Sequence, residues 1–110
     1  MSNEAKRAKT SYTYTGIGEV PNNVVSVEFA PFVTEVPPNA FRGRLSLRYV
    51  VLNNGLQKIG DGAFRDCIFL ERIVLPSTVV EIGDEAFWFC SALRDVFLNE
   101  GLHTIGNRGF

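Results

Sequence analysis

A chain of 110 residues has room for one domain, and 45% hydrophobic with 21% charged residues is ordinary globular composition, which excludes wholesale disorder. Eleven Lys and Arg against twelve Asp and Glu give a net charge of −1, so no broad basic field exists for nucleic acid or anionic lipid, and neither nucleic acid nor a membrane is expected as a partner. No segment reaches the ~18 apolar residues of a membrane span.

Residues 1–11 read as a disordered polar tail, in which Lys6-Arg7-Ala8-Lys9 has the composition of a short import signal or simply of a solvated end. The tail lacks the apolar core of a signal peptide. With Met1 as a native start, a cytoplasmic location is the default, and nuclear and cell-surface locations stay open. Residues 12–23 begin with alternating Tyr12-Thr13-Tyr14-Thr15, the pattern of a short strand, and are expected to form an N-terminal cap.

From residue 24 the chain repeats. Val24, Leu47, Leu70 and Leu93 are each 23 residues apart and open self-similar coils over 24–46, 47–69, 70–92 and, incompletely, 93–110. Numbering slots from those residues, slot 4 holds Val27, Val50, Ile73 and Val96, and slot 6 holds Phe29, Leu52, Leu75 and Leu98. Slot 13 holds Val36, Ile59, Ile82 and Ile105, and slot 18 holds Phe41, Phe64, Phe87 and Phe110.

The opening of each coil, clearest in Leu70-Glu71-Arg72-Ile73-Val74-Leu75, has the period of two of a strand, with slots 4 and 6 inward and slots 3 and 5 outward. A second extended piece is predicted over slots 10–13, ahead of the turn glycines Gly60, Gly83 and Gly106. Asp61, Asp84 and Asn107 then stand before Ala-Phe-x-x-Cys in the place of helix N-caps, so one helical turn per coil is expected. On that reading Glu85 lies in a first helical turn.

One coil carries too few large apolar side chains to offset the ordering of 23 residues, so no coil is stable alone and neighbours must stack. The polar slots keep the same register. Arg48, Glu71 and Arg94 alternate in sign at slot 2, as do Glu35, Lys58 and Glu81 at slot 12, and Arg72 precedes Asp95 at slot 3.

The segment Leu70-x-x-Ile73-x-Leu75-Pro76-x-x-Val79-x-x-Ile82-Gly83-x-x-Ala86-Phe87-x-x-Cys90 resembles the BspA-like leucine-rich repeat, and the resemblance covers residues 24–110. It implies an α/β fold: a right-handed solenoid with short parallel strands and one short helical turn per coil. It also implies a protein-interaction or surface-adhesion module without catalytic activity. Slot 9 holds Phe32, Gly55, Thr78 and Gly101 instead of the more familiar Asn or Cys, so no asparagine ladder is expected there. The first coil departs further, with Pro37-Pro38 for Gly-Asp and Arg44 for Cys, and reads as an opening coil.

Chemistry-bearing residues are sparse. His103 is the sole histidine and occupies an outward slot, and no nucleophile motif, phosphate loop or metal-ligand spacing occurs. No catalytic residue, cofactor or metal site is therefore expected. Cys67 and Cys90 share slot 21 of adjacent coils, and core packing as reduced thiols is the expectation over a bridge.

What remains is surface. The concave sheet should present Ser26 and Glu28, Tyr49 and Val51, Arg72 and Val74, Asp95 and Phe97, of which Glu28, Tyr49, Val51, Arg72, Val74, Asp95 and Phe97 are the candidate partner-binding residues. Val51, Val74 and Phe97 equally suit strand propensity and lateral packing. Trp88 and Phe89 form a second candidate patch, unless Trp88 stacks on Arg65. Val96, Leu98, Leu102 and Ile105 at the last coil would favour self-association. The function expected is a non-catalytic module binding a protein partner, with a structural or adhesive segment of a longer cell-surface protein as the alternative.

Overall fold

A computed structural model describes residues 11–97 and 100–110. The polar tail, apart from Ser11, lies outside the described residues, as does Leu98. Among the described residues nine short strands follow one another: β1 (Ser11–Tyr14), β2 (Ser26–Phe29), β3 (Glu35–Val36), β4 (Tyr49–Val51), β5 (Lys58–Ile59), β6 (Arg72–Val74), β7 (Glu81–Ile82), β8 (Asp95–Phe97) and β9 (Thr104–Ile105).

They form two parallel sheets, one in the order β1-β2-β4-β6-β8 and the other in the order β3-β5-β7-β9. Register follows the repeat, with Val27, Val50, Ile73 and Val96 side by side in the first sheet. Val36, Ile59, Ile82 and Ile105 align in the second. Strand β1 joins the same register through Ser11↔Ser26 and Tyr14↔Phe29, although a shorter connection separates it from β2. It buries Tyr14, whose ring lies 4.8 Å from Phe29 and 5.1 Å from Phe41.

Between the sheets runs one continuous core. Phe41, Phe64, Phe87 and Phe110 form a column of near-parallel rings, with centroids 5.1, 5.3 and 4.8 Å apart. The first three are buried, whereas Phe110 at the end of the column is 45% exposed. Val27, Val36, Ile59, Ile73 and Ile82 have no exposure at all. Stacked coils thus convert the two open faces of each repeat into shared interior.

The expected helical turn is absent: the described residues contain no helix. Slots 15–20 are a run of tight turns, closed by bonds such as Ala63 N to Gly60 O, Arg65 N to Gly62 O and Cys67 N to Phe64 O. The physical reason lies in two left-handed residues per coil. Slot 16 has positive φ at Asn39, Gly62, Glu85 and Arg108, and slot 20 at Gly43, Asp66 and Phe89. Left-handed residues interrupt a right-handed helix. They also turn alternate amides toward the next coil: Gly62 N, Phe64 N and Asp66 N donate to Asp84 O, Ala86 O and Trp88 O at 2.8–2.9 Å. Backbone groups that a helix would satisfy internally are satisfied between coils.

The capping assignment changes with it. Asp61 Oδ1 accepts from the backbone N–H of Asp84, and Asp84 Oδ1 from that of Asn107, each at 2.8 Å. These aspartates cap the following coil, not a turn of their own. Glu85, expected in a first helical turn, is instead a left-handed residue paired with Arg65 and Arg108. The coils approach so closely here that a Cβ on Gly83 would lie 2.7 Å from Asp61 N and 2.8 Å from the Gly60 carbonyl carbon.

Candidate functional site

Period-two alternation turns slots 3 and 5 of the first sheet outward, and stacking lines them up. Register pairs Ser26, Tyr49, Arg72 and Asp95 in one row, and Glu28, Val51, Val74 and Phe97 in the next. All seven candidate residues, Glu28, Tyr49, Val51, Arg72, Val74, Asp95 and Phe97, are exposed. Val51, Val74 and Phe97, at 58%, 45% and 53% exposure, make an uninterrupted apolar row across three strands. Large apolar side chains in contiguous, exposed register are unusual on a soluble surface and are the kind of patch that a partner covers.

Tyr49, Val51, Arg72 and Val74 come together around a shallow depression of about 430 Å³. Val50, Leu52, Asn54 and Pro76 complete its lining. Val50 and Leu52 occupy the inward slots 4 and 6, whereas Asn54 and Pro76 were not among the sequence candidates because they follow the strands, where alternation no longer predicts direction. Glu28, Asp95 and Phe97 belong to the same face but do not line the depression. Arg72 and Asp95 are register neighbours without forming an ion pair, so the Arg72 guanidinium has no carboxylate partner among the described residues. Arg48 and Arg94, by contrast, both bind Glu71, at 3.3 and 3.2 Å, in the expected alternating ladder. In the slot 12 ladder Lys58 pairs with Glu81 at 3.5 Å.

The turn side is built differently. Trp88 is half-buried, with the Arg65 guanidinium 4.4 Å and the Arg108 guanidinium 4.7 Å from its ring centroid. Glu85 links the two arginines. Trp88 therefore serves as a clasp between coils through cation–π contact. Phe89 is stacked on Trp88 at 4.6 Å and is 55% exposed. At the last coil Val96 and Leu102 are half-buried and Ile105 is 48% exposed.

Cys67 and Cys90 are free thiols, donating to Phe41 O and Phe64 O of the preceding coil at 3.0 Å each. Burial pushes the Cys67 thiol up to about 11. Burial, and secondarily the neighbouring Cys67, takes Cys90 to about 12. Both are held as neutral donors, far from the thiolate that nucleophilic chemistry requires. His103 is exposed, and among the described residues no three His, Cys, Asp or Glu side chains cluster as metal ligands would.

At slot 9 the hydroxyl of Thr78 accepts from Gly55 N at 3.0 Å and donates to Leu56 O at 2.6 Å, so a single side chain joins two coils. Asn53 does related work from slot 7, its Nδ2 donating to Val33 O at 2.7 Å.

Residues 20–110 match the family described as BspA type Leucine rich repeat region (6 copies). The chain is similar to a crystallised leucine-rich repeat protein from Bacteroides ovatus ATCC 8483, at 28% identity and a TM-score of 0.78, over 87% of this chain and 27% of that one. It is also similar in fold to a leucine rich cell surface protein from Faecalibacterium prausnitzii A2-165, at 24% identity and a TM-score of 0.59, over 80% of this chain and 31% of that one. The chain thus spans about a third or less of the solved proteins that it matches. No curated protein matches it.

Proposed function

Because the chain belongs to the BspA-type leucine-rich repeat family, we propose that it is a non-catalytic interaction module whose outer sheet face docks a protein partner. The observation that carries this reading is the exposed row Val51, Val74, Phe97 beside Tyr49 and Arg72, held at fixed spacing by parallel strands over a depression of about 430 Å³. Aromatic and arginine side chains are the types that most often dominate binding energy, and a rigid scaffold spares the cost of ordering them. The two thiols, held protonated by burial, support the non-catalytic part of the reading.

The test starts from a partner recovered by affinity purification from the native source and then measured in purified form. Tyr49→Ala and Phe97→Ala should each weaken its binding at least several-fold while leaving the melting temperature nearly unchanged. A partner indifferent to both substitutions, or loss of folding in both, contradicts the reading.

The partial coverage of the matched proteins favours a second reading, in which these coils form part of a longer structural or adhesive surface protein. The half-buried Val96 and Leu102 and the exposed Ile105 also support self-association at the last coil. Sedimentation should then show a concentration-dependent mass, and a monomer at all concentrations argues against it.

A further inference from the structure

We propose that Asn54–Gly55 is a site of spontaneous covalent modification, the conversion of Asn54 to aspartate and isoaspartate, and that Thr78 is the residue that restrains it. Asn54–Gly55 is the one Asn-Gly dipeptide in the chain. It lies in the turn that follows β4, where Asn54 is exposed and its side-chain amide has no hydrogen-bond partner among the described residues. Glycine lacks a Cβ, so its nitrogen approaches the preceding side chain with the least hindrance.

The chemistry needs only hydroxide and water. The Gly55 nitrogen gives up its proton to hydroxide and bonds to Cγ of Asn54. The Cγ–Nδ2 bond breaks, and the nitrogen takes a proton from water and leaves as ammonia, regenerating the hydroxide. The five-membered imide that results takes up one water and opens at either carbonyl, giving aspartate or its β-linked isomer. Overall, one water is consumed and one ammonia released, with no change of oxidation state.

The reacting atom is the one that Thr78 holds. Gly55 N donates to Thr78 Oγ1 at 3.0 Å, and that same hydroxyl is anchored by donating to Leu56 O at 2.6 Å. The amide proton is therefore engaged and the Gly55 nitrogen fixed in orientation until this bond opens. An amide held by a side chain from the next coil ties the chemical lifetime of Asn54 to the stacking of coils, with Thr78 acting as a positioning residue.

The product matters because of where it forms. Asn54 lines the depression that Tyr49 and Arg72 also line, so conversion adds a carboxylate to that depression. Any effect on binding rests on the outer-face reading above, whereas the conversion does not and is measured without a partner.

The experiment ages the full chain under mildly alkaline, non-denaturing conditions and follows residue 54 by peptide mass spectrometry and isoelectric focusing. Thr78→Val should convert several-fold faster than wild type, while Thr78→Ser, which restores a hydroxyl, should stay near the wild-type rate. Tyr14→Leu loosens the opposite end of the stack and controls for general instability, so its rate should stay at the wild-type value. Asn54→Gln should abolish the acidic species. The proposal is overturned if Thr78→Val converts at the wild-type rate. It is equally overturned if Tyr14→Leu accelerates conversion as much as Thr78→Val, or if the acidic species persists in Asn54→Gln.

Discussion

The two sides of each coil meet the same requirement, joining 23 residues to the next 23, by opposite means. On the turn side almost every slot is committed: glycine at slot 14, a capping aspartate at slot 15 and left-handed residues at slots 16 and 20. Phenylalanine stacks at slot 18, and a thiol donates to the coil before at slot 21. On the strand side the backbone ladder, with the Arg48–Glu71–Arg94 ion pairs, does the joining, and the side chains of slots 3 and 5 form no ion pair between coils among the described residues. The residues there vary freely in type, from Glu28 to Phe97 and from Ser26 to Arg72. Substitution on the strand face should therefore disturb stacking less than substitution on the turn side.

Substitutions can break or sharpen this contrast. Phe64→Ala removes a fully buried ring from the middle of the column and should cost about 3–5 kcal/mol in urea unfolding. Gly83→Ala forces a Cβ against the backbone at Asp61 and Gly60, atoms that cannot yield as a flexible side chain does, and should cost about 2–3 kcal/mol. A tolerated alanine there means that the coils are less tightly apposed than described. Asp61→Ala leaves the Asp84 N–H without its acceptor at a partly solvated site and should cost about 1 kcal/mol. Arg72→Ala and Val51→Thr, on the strand face, should stay within about 0.5 kcal/mol of wild type.

The thiols add a pH dependence on the turn side. Both are raised above the ordinary value of 9.0, so the folded state binds more protons than the unfolded state in the alkaline range. Their contribution is complete below about pH 9 and is lost as pH rises through about 11–12. Urea midpoints should fall across that window by less in Cys67→Ala than in wild type.

Much of this was legible in the sequence, because a fixed period of 23 leaves the inward slots unmistakable. Val27, Ile59 and Phe87 announce their burial by recurrence alone. The turn conformation was not legible, because Ala and Phe followed three residues later by Cys also suits one face of a helix. Asn39, Gly62, Gly43 and Asp66 are types that accept positive φ, but Glu85, Phe89 and Arg108 in the same slots are not. Their backbone is dictated by the neighbouring coils rather than by local preference. The outward residues of the sheet were readable from alternation. Asn54 and Pro76 were not, since direction after a strand depends on how the chain turns.

Amide hydrogen exchange at Gly62, Phe64 and Asp66 tests in-register stacking most directly. Each lies in a turn with no helical hydrogen bond, yet each donates to a carbonyl of the next coil. The stacked arrangement predicts protection close to that of Val50 and Ile73 in the strands. Exchange at the rate of solvent-exposed turn amides would contradict it.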